Sequence, residues 1–171
     1  MERPYQIVLL LLQNMELLLQ KTPEEEVRKQ ILPLVCNAIS SDTTRIQELC
    51  LSIIPNVGRL MDRNAMKNQL LPKLLHLAIS AGVLGVRVQA LVCLGKLLPN
   101  LEPWMVSDQI IPALPKVNSK EPGILMAILG IYKLVNGNEK FGISKEQCAR
   151  SVLPYLISVC VENTLNLSQF E

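Results

Sequence analysis

The sequence predicts an all-α chain, a solenoid of about eight antiparallel helices, from three observations: a proline phrase that recurs at near-constant spacing, apolar residues at helical period between the recurrences, and a core almost without aromatic side chains. The phrase is an apolar pair, a proline, and a further apolar residue one or two places on: Ile31-Leu32-Pro33-Leu34, Leu70-Leu71-Pro72-Lys73-Leu74, Ile110-Ile111-Pro112-Ala113 and Val152-Leu153-Pro154-Tyr155. Successive prolines stand 39, 40 and 42 residues apart, close to the roughly 40 to 47 residues of two-helix HEAT or armadillo units. An array of that kind offers an elongated surface instead of one catalytic cleft, and such surfaces bind other proteins.

Composition narrows the class. A chain of 171 residues is long enough for one domain with a sizeable core. With 49% hydrophobic and 4% aromatic residues, that core is built from Leu, Ile, Val and Met, which suits helix-on-helix packing. Seventeen basic against fifteen acidic side chains leave a net charge of +2, too weak a field to gather nucleic acid or an anionic membrane. The apolar runs 7–12 and 123–132 fall short of the roughly 20 residues that span a bilayer, so a soluble protein without a transmembrane segment is expected. Met1-Glu2-Arg3-Pro4 has no cationic n-region, which argues against a signal peptide. The five cysteines are odd in number, with no Cys-x-x-Cys pair, and read as free thiols in a reducing compartment. The one histidine, His76, has no cysteine or carboxylate at ligand spacing, so neither a metal site nor a cofactor is expected.

The elements follow in order. A first helix is predicted over 4–20, with Pro4 in its first turn, where a missing N–H costs nothing. Thr22-Pro23-Glu24-Glu25 reads as a capping box that opens a second helix, striped with Val27, Ile31, Leu34, Val35 and Ala38 and ending near Ser40-Ser41. Asp42 is expected to cap a third helix, with Ile46, Leu49, Cys50, Ile53, Ile54 and Val57 on its apolar face. A fourth follows Asp62-Arg63-Asn64 and closes at Gly82. The run Val86-Arg87-Val88-Gln89-Ala90-Leu91-Val92-Cys93-Leu94-Gly95 resembles the second helix of a HEAT repeat, in which small residues such as Ala90 and Gly95 allow close approach and the arginine joins a ladder between repeats. A short helix over 106–116 is bent by Pro112 and Pro115. The next opens at Ser119 to Pro122 and is apolar on nearly every face, hence central, until Asn136-Gly137-Asn138 ends it. Ser144-Lys145-Glu146-Gln147 is a second capping box, starting a last helix that runs to about Glu162.

These elements form one HEAT-type solenoid over 1–171: a leading helix at 1–21, helix pairs at 22–62, 63–102 and 103–140, and a terminal helix with a connector at 141–171. Natural arrays end in polar capping repeats, whereas here the first helix is apolar almost all round and the last has no partner. An incomplete array, a fragment of a longer protein, is therefore expected.

Between the prolines, several phrases resemble the helical-repeat region of the SCY-like pseudokinase family: Ile46-Gln47-Glu48-Leu49-Cys50-Leu51 with Ile53-Ile54-Pro55, Met66-Lys67-Asn68, Leu91-Val92-Cys93-Leu94-Gly95-Lys96, Ser119-Lys120-Glu121-Pro122, Ile128-Leu129-Gly130-Ile131-Tyr132-Lys133, and Leu165-Asn166-Leu167 ahead of Gln169-Phe170. The phrases extend over most of the chain. In that family a kinase-like domain precedes the repeats and a long region follows them. The resemblance implies a cytoplasmic protein of coated vesicles, Golgi or endosomal membranes, working in clathrin-dependent traffic between the trans-Golgi network and endosomes. It further implies contacts with clathrin or adaptor complexes through the full-length protein, and membrane association only through such partners. These residues contain no glycine-rich phosphate loop, His-Arg-Asp loop or Asp-Phe-Gly motif, so kinase activity and clathrin binding do not transfer to the segment itself.

A non-catalytic interaction scaffold is thus the expected function, and a structural spacer in an unrelated HEAT-repeat scaffold with other protein partners is the alternative. An enzyme would need convergent polar groups, of which the sequence gives no sign. The run Glu24-Glu25-Glu26 reads as first-turn carboxylates facing a helix dipole, not as a metal or acid–base cluster. His76 has no nucleophile and orienting carboxylate to complete a triad, and Ser144 reads as a cap. Second helices of such arrays commonly line the concave face, which makes Arg45, Gln47, Arg59, Arg87, Gln89, Lys96 and Lys133 the candidate protein-binding residues, with Arg87 also the ladder arginine. Trp104, flanked by Pro99 and Pro103, is either an exposed anchor or packing between repeats.

Overall fold

A computed structural model describes residues 5–171; the expected placement of Pro4 lies outside them. Among the described residues there is no strand, and helix follows helix. We label them α1 (5–21, interrupted at Asn14), α2 (24–38), α3 (44–60), α4 (63–80), α5 (84–100), α6 (103–116), α7 (Pro122–Asn136), α8 (145–159) and α9 (Leu167–Phe170). The fold is all-α and helical-repeat in kind, with α2, α4, α6 and α8 each carrying one proline phrase.

The chain divides into two compact units, Met1–Lys73 and Leu74–Glu171. In the first, α1 and α2 both pack on α3, burying Leu12, Met15, Val27, Val35, Ile46, Cys50 and Ile54. In the second, α5 and α7 form the central pair around Val86, Ala90, Leu94, Ile124 and Ile128. Their backbones come close where the sequence places small residues. A Cβ added at Gly95 would stand 3.6 Å from Leu134 Cδ1, and one added at Gly123 would stand 3.6 Å from Val88 Cγ2.

One local device recurs four times. Proline in a helix interior offers no N–H, and its ring presses on the carbonyl four residues back. Each proline here is preceded by five residues of π-helix: Val27–Ile31 before Pro33, Met66–Leu70 before Pro72, Val106–Ile110 before Pro112 and Cys148–Val152 before Pro154. The N–H just before each proline reaches five residues back, from Leu32 to Val27 O, Leu71 to Met66 O, Ile111 to Val106 O and Leu153 to Cys148 O. This wide turn absorbs one extra residue and relieves the clash. In α2 and α4 its two ends, Val27 and Ile31, Met66 and Leu70, are buried, while the three residues between them are exposed. The residue before proline is 6%, 0% and 1% exposed at Leu32, Leu71 and Ile111, against 48% at Leu153.

The wide turn also frees the carbonyl five residues before each proline, since its α-helical donor bonds elsewhere and proline has no N–H. At Arg28, Lys67 and Ala149 the residue is exposed and water can serve. At Ser107 a side chain does so: Gln147 Nε2 donates to Ser107 O at 2.7 Å. That bond alters the expected capping box. Ser144 Oγ accepts from Gln147 N–H at 3.1 Å, as a cap should, but the Gln147 side chain turns to α6 and does not close the box.

Other termini differ from expectation too. Pro23, not Thr22, takes the N-cap position of α2, and no side chain caps it. Thr43, not Asp42, stands at the N-cap of α3, and the preceding turn is tied by Ser41, whose Oγ accepts from Thr43 N–H at 3.2 Å. Residues 163–171, read from sequence as a connector, contain α9, closed by a true capping box between Asn166 and Gln169.

Arg87 performs the ladder role read from its motif. From α5 its Nε donates to Ala78 O at 3.0 Å and a terminal nitrogen donates to Val117 O at 3.2 Å, tying the ends of α4 and α6 to one guanidinium. Both acceptor residues are buried.

Two outcomes are expected in chemical denaturation followed by circular dichroism. Deleting Asp108 should return α6 to plain α-helix around Pro112 and cost about 3 kcal/mol. Pro112→Ala alone should change stability by about 1 kcal/mol or less, and combining the two should recover most of the deletion's loss, a non-additivity that additive effects would exclude. Arg87→Ala should cost about 2–4 kcal/mol by stranding two buried carbonyls, with Arg87→Lys recovering little because a single ammonium cannot reproduce the fork.

Candidate functional site

The seven candidate residues divide into those that the fold uses and those that remain at the surface. Arg87 is held in the ladder. Gln47 is half-buried, with its Nε2 donating to Ser41 O at 2.8 Å, so it braces the turn before its own helix. Arg59 is exposed and lies 3.4 Å from the Glu24 carboxylate. Arg45, Gln89, Lys96 and Lys133 are exposed.

Within the second unit, Lys96 and Lys133 flank the contact between Gly95 and Leu134, and Val92 and Leu134 are both exposed there. Two lysines around an apolar pair, with Gln89 one turn before Val92, make a small mixed patch on α5 and α7. In the first unit Arg45 stands at the start of α3 and Arg59 in the 3₁₀ turn at its end. Trp104, at the start of α6, is 41% exposed.

Sequence reasoning missed a cleft in the first unit. It measures about 470 Å³ and opens between α2, the 3₁₀ turn Gly58–Leu60 and the start of α4, with Arg28 and Arg59 both on its walls. No sequence signal joins those two arginines, since they come together only through the packing of α2 against α3.

The described residues contain no group of three His, Cys, Asp or Glu side chains placed to hold a metal ion, and no fully buried charged or polar residue. Glu25 pairs with Lys29 at 2.9 Å and Glu24 with Arg59, so two carboxylates of the acidic run serve ion pairs. His76 is exposed beside Ser80, whose hydroxyl donates to the His76 carbonyl at 2.7 Å. No described helix is long and apolar enough to cross a membrane.

Three of the five thiols, Cys36, Cys50 and Cys93, are core material. Burial pushes Cys50 and Cys93 from an ordinary 9.0 up to about 12, and pushes Cys36 up against a smaller opposing pull from the Lys73 ammonium. Burial likewise raises Tyr155 from 10.0 to about 12, and raises Tyr132, with a further push from Tyr155, whose ring centroid lies 6.3 Å away. All five groups are neutral when protonated and have folded values above their unfolded ones. The stability they contribute is therefore complete below about pH 9 and drains away as pH climbs toward 12. The urea midpoint should stay level between about pH 6.5 and 8 and fall steeply above about pH 9. Dithionitrobenzoate at neutral pH should label exposed Cys160 at once and leave buried Cys36, Cys50 and Cys93 untouched until the chain unfolds.

No family model and no solved structure matches the chain. Among curated proteins it is 49% identical over 169 residues, 99% of its own length, to the SCY1-like protein 2 of Homo sapiens and to that of Mus musculus, spanning 18% of each. It is 24% identical to the protein kinase domain-containing protein ppk32 of Schizosaccharomyces pombe, over 98% of the chain and 22% of that protein. It is 25% identical to the protein kinase-like protein SCY1 of Saccharomyces cerevisiae, over 94% of the chain and 20% of that protein. The chain thus spans about a fifth of the length of the curated relatives it matches. Identity of 49% sustained over 99% of the chain means that the chain belongs to the SCY-like family.

Proposed function

We propose that this chain is a non-catalytic protein-interaction scaffold segment of a SCY-like pseudokinase acting in clathrin-dependent traffic between the trans-Golgi network and endosomes. The observation that carries this reading is the end-to-end match to SCY1-like protein 2. The physical character of the chain supports it. Three thiols, Cys36, Cys50 and Cys93, are buried in the core, and exposed basic and apolar side chains stand together on its surface. The partners are clathrin or adaptor complexes, reached in the context of the full-length protein at coated vesicles, Golgi or endosomal membranes. In the first unit Arg45 and Arg59 offer contacts; in the second, Gln89, Lys96 and Lys133 do so around Val92 and Leu134.

A spacer role is the competing reading. It is favoured by the fact that two of the seven candidate residues, Gln47 and Arg87, are spent on internal hydrogen bonds. Direct binding to purified clathrin and adaptor complexes decides between them. A scaffold binds at least one, and Arg45→Glu, Lys96→Glu and Lys133→Glu together weaken that binding roughly tenfold with the helical spectrum unchanged. Binding to neither leaves the spacer. Phosphate transfer from ATP by this chain alone would refute both.

A further inference from the structure

The cleft of the first unit is lined by apolar Leu32, Pro33, Leu60 and Ala65 together with Arg28, Arg59, Asp62 and Gln69. Its volume of about 470 Å³ falls in the roughly 300–1,000 Å³ range of sites that take small ligands or anchoring side chains. Arg28 reaches the wall because the π turn buries Val27 and Ile31 and turns the residues between them outward. It makes no ion pair with any described residue. Arg59 holds Glu24 at 3.4 Å. A third cation is close by, since Lys73 Nζ donates to the carbonyl of Cys36, itself part of the lining.

Against these three cations stand two carboxylates, both engaged. Glu24 is on Arg59, and Asp62 Oδ1 accepts the Ala65 N–H at 2.7 Å as the cap of α4. The cleft thus offers one unsatisfied guanidinium, a second that shares a solvent-exposed acid, and an apolar lining. We infer that this cleft binds an acidic linear peptide segment, one carboxylate on Arg28, a second displacing Glu24 from Arg59, and an apolar side chain on Leu32, Pro33 and Leu60. Guanidinium forks favour carboxylates through paired, charge-assisted hydrogen bonds. The two resident carboxylates oppose a polyphosphate, and the apolar lining gives a bare anion nothing to bury. The inference rests on reading the chain as a protein-binding scaffold, but among the residues proposed for the second-type helices it uses only Arg59.

The test is fluorescence anisotropy with a labelled Glu-Asp-Leu-Glu-Asp-Leu peptide and its amide counterpart, Gln-Asn-Leu-Gln-Asn-Leu. The acidic peptide should bind, more weakly as salt rises, and the amide peptide should not. Arg28→Gln with Arg59→Gln should weaken binding roughly tenfold. Glu24→Gln, by removing the internal competitor, should strengthen it roughly twofold to fivefold. All three positions are exposed, so the fold, checked by circular dichroism, should survive. Arg45→Glu, Lys96→Glu and Lys133→Glu together should leave peptide affinity within about twofold. Equal binding of the amide peptide, no binding of the acidic one, indifference to Arg28→Gln with Arg59→Gln, or a loss of affinity in Glu24→Gln would overturn the inference. Clathrin or adaptor binding that persists in any of those cases leaves the scaffold reading standing.

Discussion

The match between each of the four recurring prolines, Pro33, Pro72, Pro112 and Pro154, and the five-residue π turn before it is the constraint on which the helices that carry them depend. A proline phrase in the middle of a helix should break or bend it. Here the extra residue gives the ring room, the helix continues, and the apolar residues on both sides keep facing the core. Val27 and Ile31, Met66 and Leu70, and Val106 and Ile110 are therefore buried pairs spaced across the widened turn. The same device releases one carbonyl per repeat, and the Gln147 bond to Ser107 shows how the following helix can exploit it.

Much of the architecture was legible because its signals are local and repeated. The helices, the role of Arg87 and the close approach at Gly95 all follow from short patterns. The π turns were not legible, since apolar residues four apart, such as Val27 and Ile31, suit an α-helix equally well. Nor was the diversion of the Gln147 side chain, because a capping box competes with an acceptor in another helix that only packing brings near. The turn at Asn166 was missed for a plainer reason: a segment as short as Leu167–Phe170 carries no hydrophobic period, and its capping box was the one available sign.

The candidate site shows the same divide. Arg45, Gln89, Lys96 and Lys133 are exposed, whereas Gln47 is tied to Ser41 by a bond that helical phase does not reveal. Nor can it bring Arg28 and Arg59 to one cleft across a gap bridged only by tertiary packing. The chain's described interior is mostly aliphatic, with Cys36, Cys50 and Cys93 among the buried side chains.

The π turn also imposes an order on how such a chain can change over generations. With the extra residue in place, proline can be lost at little cost, because a wide turn tolerates any side chain at its exit. The reverse step, losing the extra residue while proline remains, drives the ring into a regular helix. A lineage simplifying one of these helices must therefore surrender the proline first, and one acquiring a proline must lengthen the turn beforehand. The extra residue, not the proline, is thus the part of each phrase that cannot be withdrawn on its own.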